Sequence, residues 1–321
     1  MRSRPLVTVA IPTYNRANGY LRQALESALG QTYENLEILV SDNCSTDETA
    51  TLVHSLSDSR IRYVRHPVNM GANNNFNFCI QEARGKYFLF LHDDDLIDPE
   101  FVEICVRAAS KVGECGLVRT GTRIIDGEGK LVREVANRVE GLSTEEFFLG
   151  WFGGQTAFYL CSTLFDTEKL RMVGGFNSKH NLFQDVIAEV KLAAHYGRTD
   201  VPEVKATFRV HGAELSFARG LREWCEDSFQ VLDLMCELAP SHEAQLREKG
   251  MRFFARGNYH RASAVKSRWK RLRAYLTVWR MYGYRQWPSF RMLLSRTIAY
   301  RSLRLLKVTL ERNFLRARAL Q

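Results

Sequence analysis

Apolar runs alternate with helical apolar periodicities along residues 6–91 of the chain. Four runs predict strands, and the last is uninterrupted, as in strands buried on both faces: 6–11, 36–40, 61–64 and 87–91. Three segments between them have apolar residues at helical spacing: Leu21–Leu29, 47–56 and 75–83. Ser45 or Thr46 is expected to cap the second helix. This alternation predicts a parallel, doubly wound α/β sheet with right-handed crossovers.

Polar residues follow the ends of these predicted strands. In chain order they are Thr13, Tyr14, Asn15, Asp42, Asn69 and the consecutive acids Asp93, Asp94 and Asp95. Open α/β sheets bind ligands at the carboxyl ends of their strands, so these side chains are expected to line one rim.

Three consecutive carboxylates follow His92 directly after the fourth predicted strand. Mg²⁺ and Mn²⁺ prefer carboxylate oxygens and keep coordination positions open for phosphates. The acids therefore predict a divalent cation that neutralises the leaving phosphates of a nucleoside-diphosphate substrate. The alternative is a solvated acidic turn.

Five motifs, in order and suitably spaced over residues 5 to about 217, resemble the family-two inverting nucleotide-sugar glycosyltransferases of GT-A fold. They are residues 10–16, 40–47, 83–87 running into 92–95, 173–176 followed by 183–185, and 209–211 with Ser216 just beyond. Several ordered motifs are far more specific than one. The resemblance implies a GT-A-like, mostly parallel sheet and the transfer of a sugar with inversion.

The same resemblance implies a nucleotide pocket on the first strands. Its expected lining is Pro12, Thr13, Tyr14, Asn15 and Asn69. Asp42 is expected to hydrogen-bond the base, typically a uracil.

A metal site and a catalytic base are also implied. Asp94 would be the main ligand of Mn²⁺ or Mg²⁺, with Asp95 and His211 in the metal set. Asp93 and Asp95 would place the ribose and phosphates. Asp185 would be the general base that deprotonates the acceptor hydroxyl.

Elementary chemistry supports this division of roles. Inverting transfer needs an acceptor oxygen attacking from one face while the diphosphate leaves from the other, so one base and one acid cluster suffice. Asp185 precedes apolar residues at helical spacing, and an ionised carboxylate is favoured near a helix N-terminus. The alternative is an ordinary capping Asp.

Three positions depart from the family pattern. His92 stands where the first acid of the usual cluster is expected, so the metal set is either shifted or contains a nitrogen ligand. Gln184 stands where an acid usually precedes the base. Phe76 replaces a common Arg, which predicts the loss of one diphosphate contact.

Charge divides the chain at about residue 250. Residues 251–321 hold 18 Lys and Arg against the single acid Glu311, whereas residues 1–250 hold 27 Lys and Arg against 35 acids. The resulting +17 and −8 make up the net charge of +9. Such a basic block marks a surface for anions, whether lipid, nucleic acid or a phosphorylated acceptor.

Helical apolar spacing continues through this basic block. Val265, Trp269, Leu272, Leu276 and Trp279 form one series, and a second series follows Pro288 through Leu294, Ile298, Leu305 and Leu306. Basic helices with Trp suit an anionic membrane surface, and the alternative is a helical subdomain packed on the catalytic domain. We expect a transferase domain over residues 1–218 and a basic helical extension over residues 219–321.

Residues 147–165 carry no charge for about the length of a membrane span. Their Gly, Gln, Ser and Thr content instead predicts a loop followed by a buried strand. Trp151, Phe152 and Tyr159 could form an acceptor platform, although core packing is expected for at least one of them.

The cysteine content and the N-terminal residues indicate the cellular compartment expected for the protein. Seven scattered Cys with no C-x-x-C pair argue against a disulfide scaffold and indicate a reducing cytosol. The first 16 residues have no long apolar stretch, so no secretory signal is expected.

Together these features predict a cytoplasmic enzyme, peripheral on the inner face of the cell membrane. It would pass a sugar from a UDP-sugar to a bacterial surface glycan or lipid-linked saccharide. No nucleic-acid partner is expected, because no recognisable nucleic-acid module is present. The alternatives are a nucleic-acid-binding protein, which would explain the basic tail, and a sugar-phosphate nucleotidyltransferase. The latter would need a Gly-rich first loop, whereas residues 12–19 are poor in Gly.

Overall fold

Four parallel strands form the first half of the sheet in the computed structural model, which describes residues 4–211 and 220–287. They are β1 (Val7–Thr13), β2 (Leu36–Asp42), β3 (Ile61–Arg65) and β4 (Tyr87–Phe90), in the spatial order β3-β2-β1-β4. The connecting helices are α1 (Leu21–Leu29), α2 (Thr49–Ser55) and α3 (Ala72–Glu82). Every residue of β1, β2 and β4 is buried, as expected for parallel strands covered on both faces.

The second half continues the same sheet with mixed strand directions. Its elements are β5 (Leu96–Ile97), α4 (Phe101–Val112), β6 (Leu117–Asp126), β7 (Leu131–Val135), α5 (Thr144–Phe152), β8 (Thr163–Asp166), α6 (Thr167–Met172), α7 (Gln184–Tyr196) and β9 (Arg198–Val210). The spatial order continues β4-β8-β6-β9-β5, and β7 pairs with β6. β6 and β9 run parallel, whereas β8 is antiparallel to both β4 and β6. The predicted α/β fold is thus confirmed.

The register of the parallel strands aligns the polar residues at their carboxyl ends along one edge of the sheet. Thr13 pairs with Asp42 across β1 and β2, and Ala10 pairs with Phe90 across β1 and β4. The acids that follow β4 therefore lie beside the end of β1. Gly85 permits this register, because a Cβ there would lie 2.5 Å from the backbone nitrogen of Thr8.

Two local predictions are wrong. Ser45 and Thr46 do not cap α2, which begins after Glu48 without a side-chain cap. The Ser45 hydroxyl instead accepts from the Asn15 N–H (2.8 Å), and the Thr46 N–H donates to Asn15 Oδ1 (2.8 Å), so both residues join the first two strand-end loops.

Residues 144–152 form helix α5 rather than a loop, although the predicted buried strand does follow as β8. The helix begins with a capping box. Ser143 Oγ accepts from the Glu146 N–H (3.2 Å), and Glu146 Oε2 accepts from the Ser143 N–H (2.9 Å). The Ser-x-x-Glu spacing that signals this start is present in the sequence.

The described residues separate into two compact units, residues 4–211 with 227–249 and residues 220–226 with 250–287. Residues 227–249 group with the first unit, in which Asp227 accepts hydrogen bonds from the Ser178 hydroxyl (2.7 Å) and the His180 N–H (2.9 Å). The domain boundary predicted at residue 218 stays a prediction.

Three helices follow β9 among the described residues: α8 (Leu221–Leu238), α9 (Glu243–Ser263) and α10 (Arg268–Met281). In α10, Tyr275 and Val278 are buried, as is Tyr282 directly after the helix. The predicted helical series after Pro288 and the residue Ser216 lie outside the described residues. Within those residues, no helix has the length and hydropathy needed to cross a membrane. All seven cysteines are free.

Candidate active site

The end of β2 holds a fully buried carboxylate, Asp42. Its Oδ1 accepts from the Ser45 N–H (2.8 Å), its Oδ2 accepts from the Tyr63 hydroxyl, and the Arg65 guanidinium lies 3.9 Å away. Burial, followed by the Asp42 hydrogen bond, raises the pKa of Tyr63, so the phenol stays a donor. Asp42 therefore holds the loop after β2 against β3, and its contact with a base stays a prediction.

The loop after β1 contacts both the loop after β2 and the acids that follow β4. Asn15 adopts a left-handed backbone (φ 54°), which places its amide and side chain on the loop after β2. The Thr13 hydroxyl donates to Asp93 Oδ2 (2.8 Å), while Tyr14 stays exposed. Pro12 is buried within β1.

Asn69 makes the contacts of a turn. Its Oδ1 accepts from Asn43 Nδ2 (2.9 Å) and from the Gly71 N–H (2.9 Å). These bonds shape the start of α3, and a nucleotide contact for Asn69 stays a prediction.

The carboxylates of Asp93 and Asp95 make hydrogen bonds and charge contacts with neighbouring protein groups. Asp93 Oδ1 lies 3.7 Å from Arg16 Nε, and burial, then the charge of Asp94, raises the pKa of Asp93 to about 6. Asp95 is 1% exposed; its Oδ1 accepts from the Arg209 N–H (3.0 Å), and its Oδ2 lies 3.6 Å from His92 Nδ1. Asp95 thus connects the end of β4 to β9.

Asp94 is the most accessible of the three acids, with a side chain 20% exposed. His211 Nε2 lies 2.8 Å from Asp94 Oδ2, so the end of β9 brings an imidazole to the predicted metal ligand. The ring of Tyr20 lies 5.3 Å from that of His211, and the Tyr20 hydroxyl donates to the Gly127 carbonyl (2.9 Å).

Arg209 holds these parts together, a role that its place in the last motif did not reveal. Its Nε donates to the Asp94 carbonyl (2.9 Å) and its Nη2 to Gln23 Oε1 (2.8 Å). The guanidinium also lies 4.1 Å from the centre of the Tyr20 ring. No sequence pattern marks Tyr20 or Gln23 as its partners, because they lie 186 or more residues away on the chain.

His92 contributes positive charge to the acids. Burial opposes its protonation, but the hydrogen bond and charge of Asp95, with Asp94 and Asp93, outweigh burial and raise the pKa of His92 to about 9. Phe76, another of the three departures from the family pattern, lies edge-on to His92 with ring centres 5.6 Å apart. The two unusual residues are therefore in contact.

Asp185 lies in the first turn of α7, partly buried. Burial raises its pKa, and the charge of His92, the residue directly before the three acids, opposes this rise. The preceding Gln184 is buried, and its Oε1 has no hydrogen-bond partner among the described residues.

A buried ion pair supports the helix one turn after Asp185. Glu189 Oε2 lies 2.9 Å from Arg119 Nε, and both side chains are fully buried. The Arg119 guanidinium lies over the rings of both Phe158 (4.4 Å) and Phe147 (5.0 Å). Burial raises the pKa of Glu189 to about 8, and the Arg119 charge opposes that rise.

Glu189→Ala is expected to lower the free energy of unfolding by about 3 kcal/mol, because it leaves the Arg119 guanidinium buried without its partner. Glu168→Ala is the matched control, since Glu168 is 75% exposed in its pair with Arg171 and should cost less than about 1 kcal/mol. Urea unfolding measures both. Equal losses would show that the buried pair does not support α7.

The three aromatic residues expected to form an acceptor platform, Trp151, Phe152 and Tyr159, pack mainly against other aromatic side chains. Trp151 is buried against Phe158, with ring centres 4.7 Å apart, and Tyr159 stacks on Phe208 at 4.4 Å. Phe152 is partly buried beside Trp151. Core packing is thus the role observed for Trp151.

The described residues contain no group of three or more His, Cys, Asp and Glu side chains arranged to hold a metal by themselves. Mg²⁺ and Mn²⁺ are commonly held by one or two carboxylates together with substrate phosphates and water. Asp94 and His211 offer one oxygen and one nitrogen at a single point, so the donor set fits a cation that is completed by substrate.

Comparison with known proteins matches residues 8–167 to the model of glycosyl transferase family 2. Chondroitin synthase from Escherichia coli is 35% identical over 130 residues, which are 40% of this chain and 19% of that protein. The match covers only 13% to 38% of the length of the curated relatives.

Solved structures share the fold. TarS 1-349 from S. aureus, in complex with UDP-GlcNAc, has a TM-score of 0.58 at 15% identity and covers 88% of this chain and 92% of its own. Mannosyltransferase PcManGT from Pyrobaculum calidifontis, in complex with GDP-Man and Mn²⁺, has a TM-score of 0.56 at 18% identity, covering 94% and 84%. The predicted GT-A fold is confirmed, and the chain, through residues 8–167, belongs to glycosyl transferase family 2.

Proposed function

We propose that this chain is an inverting, metal-dependent glycosyltransferase that moves a sugar from a UDP-sugar to a hydroxyl of a growing bacterial surface glycan or lipid-linked saccharide. The observation that carries the proposal is the contact between Asp94 and His211 at 2.8 Å, on the same rim as Asp42. His92 connects this rim to Asp185, because the three acids raise the pKa of His92 and the charge of His92 acts on Asp185. This arrangement supports a proposed nucleotide pocket, cation site and base at one edge of the sheet.

Donor binding is assigned to the loops after β1 and β2. Asn15 and Asp42 fix the shape of these loops, and exposed Tyr14 is available to contact the nucleotide. The family resemblance supports UDP, and the UDP-GlcNAc complex of TarS adds support for a uridine nucleotide.

The transfer itself is assigned to Asp185. Its raised pKa suits a carboxylate that accepts a proton from the acceptor hydroxyl as the oxygen attacks the sugar carbon. Inversion follows, because the nucleoside diphosphate leaves from the face opposite the attacking oxygen.

Asp94 and His211 are the residues proposed to hold Mn²⁺ or Mg²⁺, and Asp95 keeps its predicted place in the metal set. A bound cation would neutralise charge on the leaving diphosphate. Asp93, fixed by Thr13, is assigned to the ribose and phosphates.

The setting proposed for the enzyme is the inner face of the cell membrane. Residues 1–218 are proposed as the transferase domain and residues 219–321 as a basic helical region that meets an anionic membrane. The charge of +17 over residues 251–321 supports this partner.

Thermal shift with nucleoside diphosphates tests donor binding. UDP with Mn²⁺ is expected to raise the melting temperature more than UDP or Mn²⁺ alone, because ligands that bind the native state stabilise it. GDP and CDP serve as base controls. Equal shifts for all three diphosphates would contradict a uridine donor, and no shift with any would contradict the nucleotide-sugar proposal.

Asp42→Ala is expected to weaken UDP binding by about tenfold or more, since it releases the Ser45 N–H and the Tyr63 hydroxyl from the pocket wall. Titration calorimetry with UDP measures the effect. Tyr63→Phe, which removes one hydrogen bond and keeps the carboxylate, should have a smaller effect. UDP affinity unchanged in Asp42→Ala would exclude a role in binding.

A further inference from the structure

Helix α10 has apolar residues on two separate faces. Tyr275 and Val278 form the buried face together with Tyr282, the residue after the helix, whose hydroxyl accepts from Asn258 Nδ2 (2.9 Å). The other face exposes Trp269 (78%), Leu272 (48%) and Leu276 (50%). These three residues have the i, i+3, i+7 spacing of one helical stripe, so they lie side by side in solvent.

Basic side chains border this stripe. Arg273 and Arg280 are exposed and lie on the same side of the helix as Trp269, at i+4 and i+11, while Arg268 and Lys270 flank Trp269 in sequence. The described residues 251–287 contain ten Lys and Arg and no Asp or Glu. The exposed face of α10 therefore combines apolar and cationic groups without a carboxylate.

This combination restricts what can cover the face. A second copy of α10 would bring the same positive charge to this face and would be repelled. Residues 288–321 of the chain hold eight Lys and Arg against one Glu, so this segment would be repelled as well. A nucleic acid would satisfy the cations but would offer little to Leu272 and Leu276. An anionic bilayer supplies both phosphate headgroups and acyl chains.

We propose that α10 lies along an anionic membrane surface, with Trp269, Leu272 and Leu276 inserted at the headgroup boundary and Arg273 and Arg280 bound to lipid phosphates. This inference deepens the proposed function by naming the face that meets its membrane partner. The buried face of α10 keeps the helix in its own unit while the outer face docks.

Co-sedimentation of the full chain with lipid vesicles tests whether the exposed face of α10 binds an anionic membrane. Wild-type protein should bind vesicles of phosphatidylcholine with phosphatidylglycerol, and bind vesicles of phosphatidylcholine alone far less. Raising the salt from 0.1 M to 1 M should weaken binding, because the screening length falls from about 10 Å to about 3 Å. Binding to both vesicles alike, or to neither, would overturn the proposal.

Paired variants identify the residues. Arg273→Gln with Arg280→Gln should lower the partition coefficient about 30-fold at low salt, at up to about 1 kcal/mol for each basic residue. Arg107→Gln with Lys111→Gln, an exposed basic pair on α4, is the matched control and should bind as wild type. Equal losses in both pairs would show that net charge, rather than this face, determines binding.

The apolar stripe has its own control. Leu272→Ser with Leu276→Ser should weaken binding at least about tenfold, whereas Leu131→Ser with Val132→Ser, exposed on β7, should not. Binding unchanged in the Leu272 and Leu276 pair would overturn insertion of the stripe.

Two further measurements separate other outcomes. Size-exclusion chromatography with light scattering would overturn the proposal if Leu272→Ser with Leu276→Ser converted a dimer into a monomer. Binding to a single-stranded oligonucleotide that outcompeted anionic vesicles would also overturn it. UDP titration of each variant should match wild type, so that failure of membrane docking is distinct from failure of the proposed transferase activity.

Discussion

Asp94→Asn is expected to lower sugar transfer at least about 10³-fold, because an amide oxygen cannot replace the anionic ligand that stabilises charge on the leaving diphosphate. Asp94 is the most accessible acid of the three and contacts His211 at 2.8 Å. The transfer rate at saturating donor and Mn²⁺ measures this loss. Titration calorimetry should also show that Mn²⁺ no longer strengthens UDP binding in the variant.

Asp98→Asn is the matched control for this substitution. Asp98 lies four residues further along and forms an ion pair with Arg123 at 2.8 Å. Its transfer rate should stay close to that of wild type. Full activity and intact Mn²⁺ dependence in Asp94→Asn would remove Asp94 from the proposed metal site.

Asp185→Asn is expected to lower kcat by roughly 10²- to 10⁴-fold, the usual contribution of a positioned base, with donor affinity near wild type. The amide preserves size and hydrogen bonding but cannot accept the acceptor proton. Steady-state kinetics with varied acceptor, combined with UDP titration, separate the two quantities. Collapse of UDP affinity with transfer retained would instead make Asp185 a donor-site residue.

The pH profile adds an independent check of the base. Because burial raises the pKa of Asp185, its carboxylate is protonated at higher pH than an ordinary Asp. The wild-type kcat should therefore fall with decreasing pH already above the usual Asp range, and this limb should vanish in Asp185→Asn. Gln184→Ala, which alters the neighbouring residue without removing a base, should retain the limb.

The apolar periodicity along the chain, together with the polar residues at the ends of the predicted strands, was sufficient to predict which side chains meet at this edge of the sheet. Parallel strands must end at a common edge, so the acids after β4 and the polar residues after β1 and β2 could be expected to converge. Register then places Thr13 beside Asp42, and the Thr13 hydroxyl reaches Asp93. Local patterns capture these relations because each residue lies at or just beyond the end of its own strand.

Contacts between distant segments were not predictable in the same way. Arg119 and Glu189 look like ordinary strand and helix charges in the sequence, yet the fold buries them together. The binding of Asp42 by Tyr63 depends on the pairing of β2 with β3, which periodicity does not specify. The apolar series that predicted α10 was correct as a helix, but Trp269, Leu272 and Leu276 point away from its packed face.

Product analysis with a panel of nucleotide-sugars tests the central proposal most directly. Incubation with Mn²⁺ and an acceptor glycan should release the nucleoside diphosphate UDP from a UDP-sugar, and the transferred sugar should have the opposite anomeric configuration in its NMR spectrum. Asp94→Asn and Asp185→Asn should release little or none. Release of pyrophosphate in place of a nucleoside diphosphate, or transfer with retained configuration, would contradict an inverting glycosyltransferase.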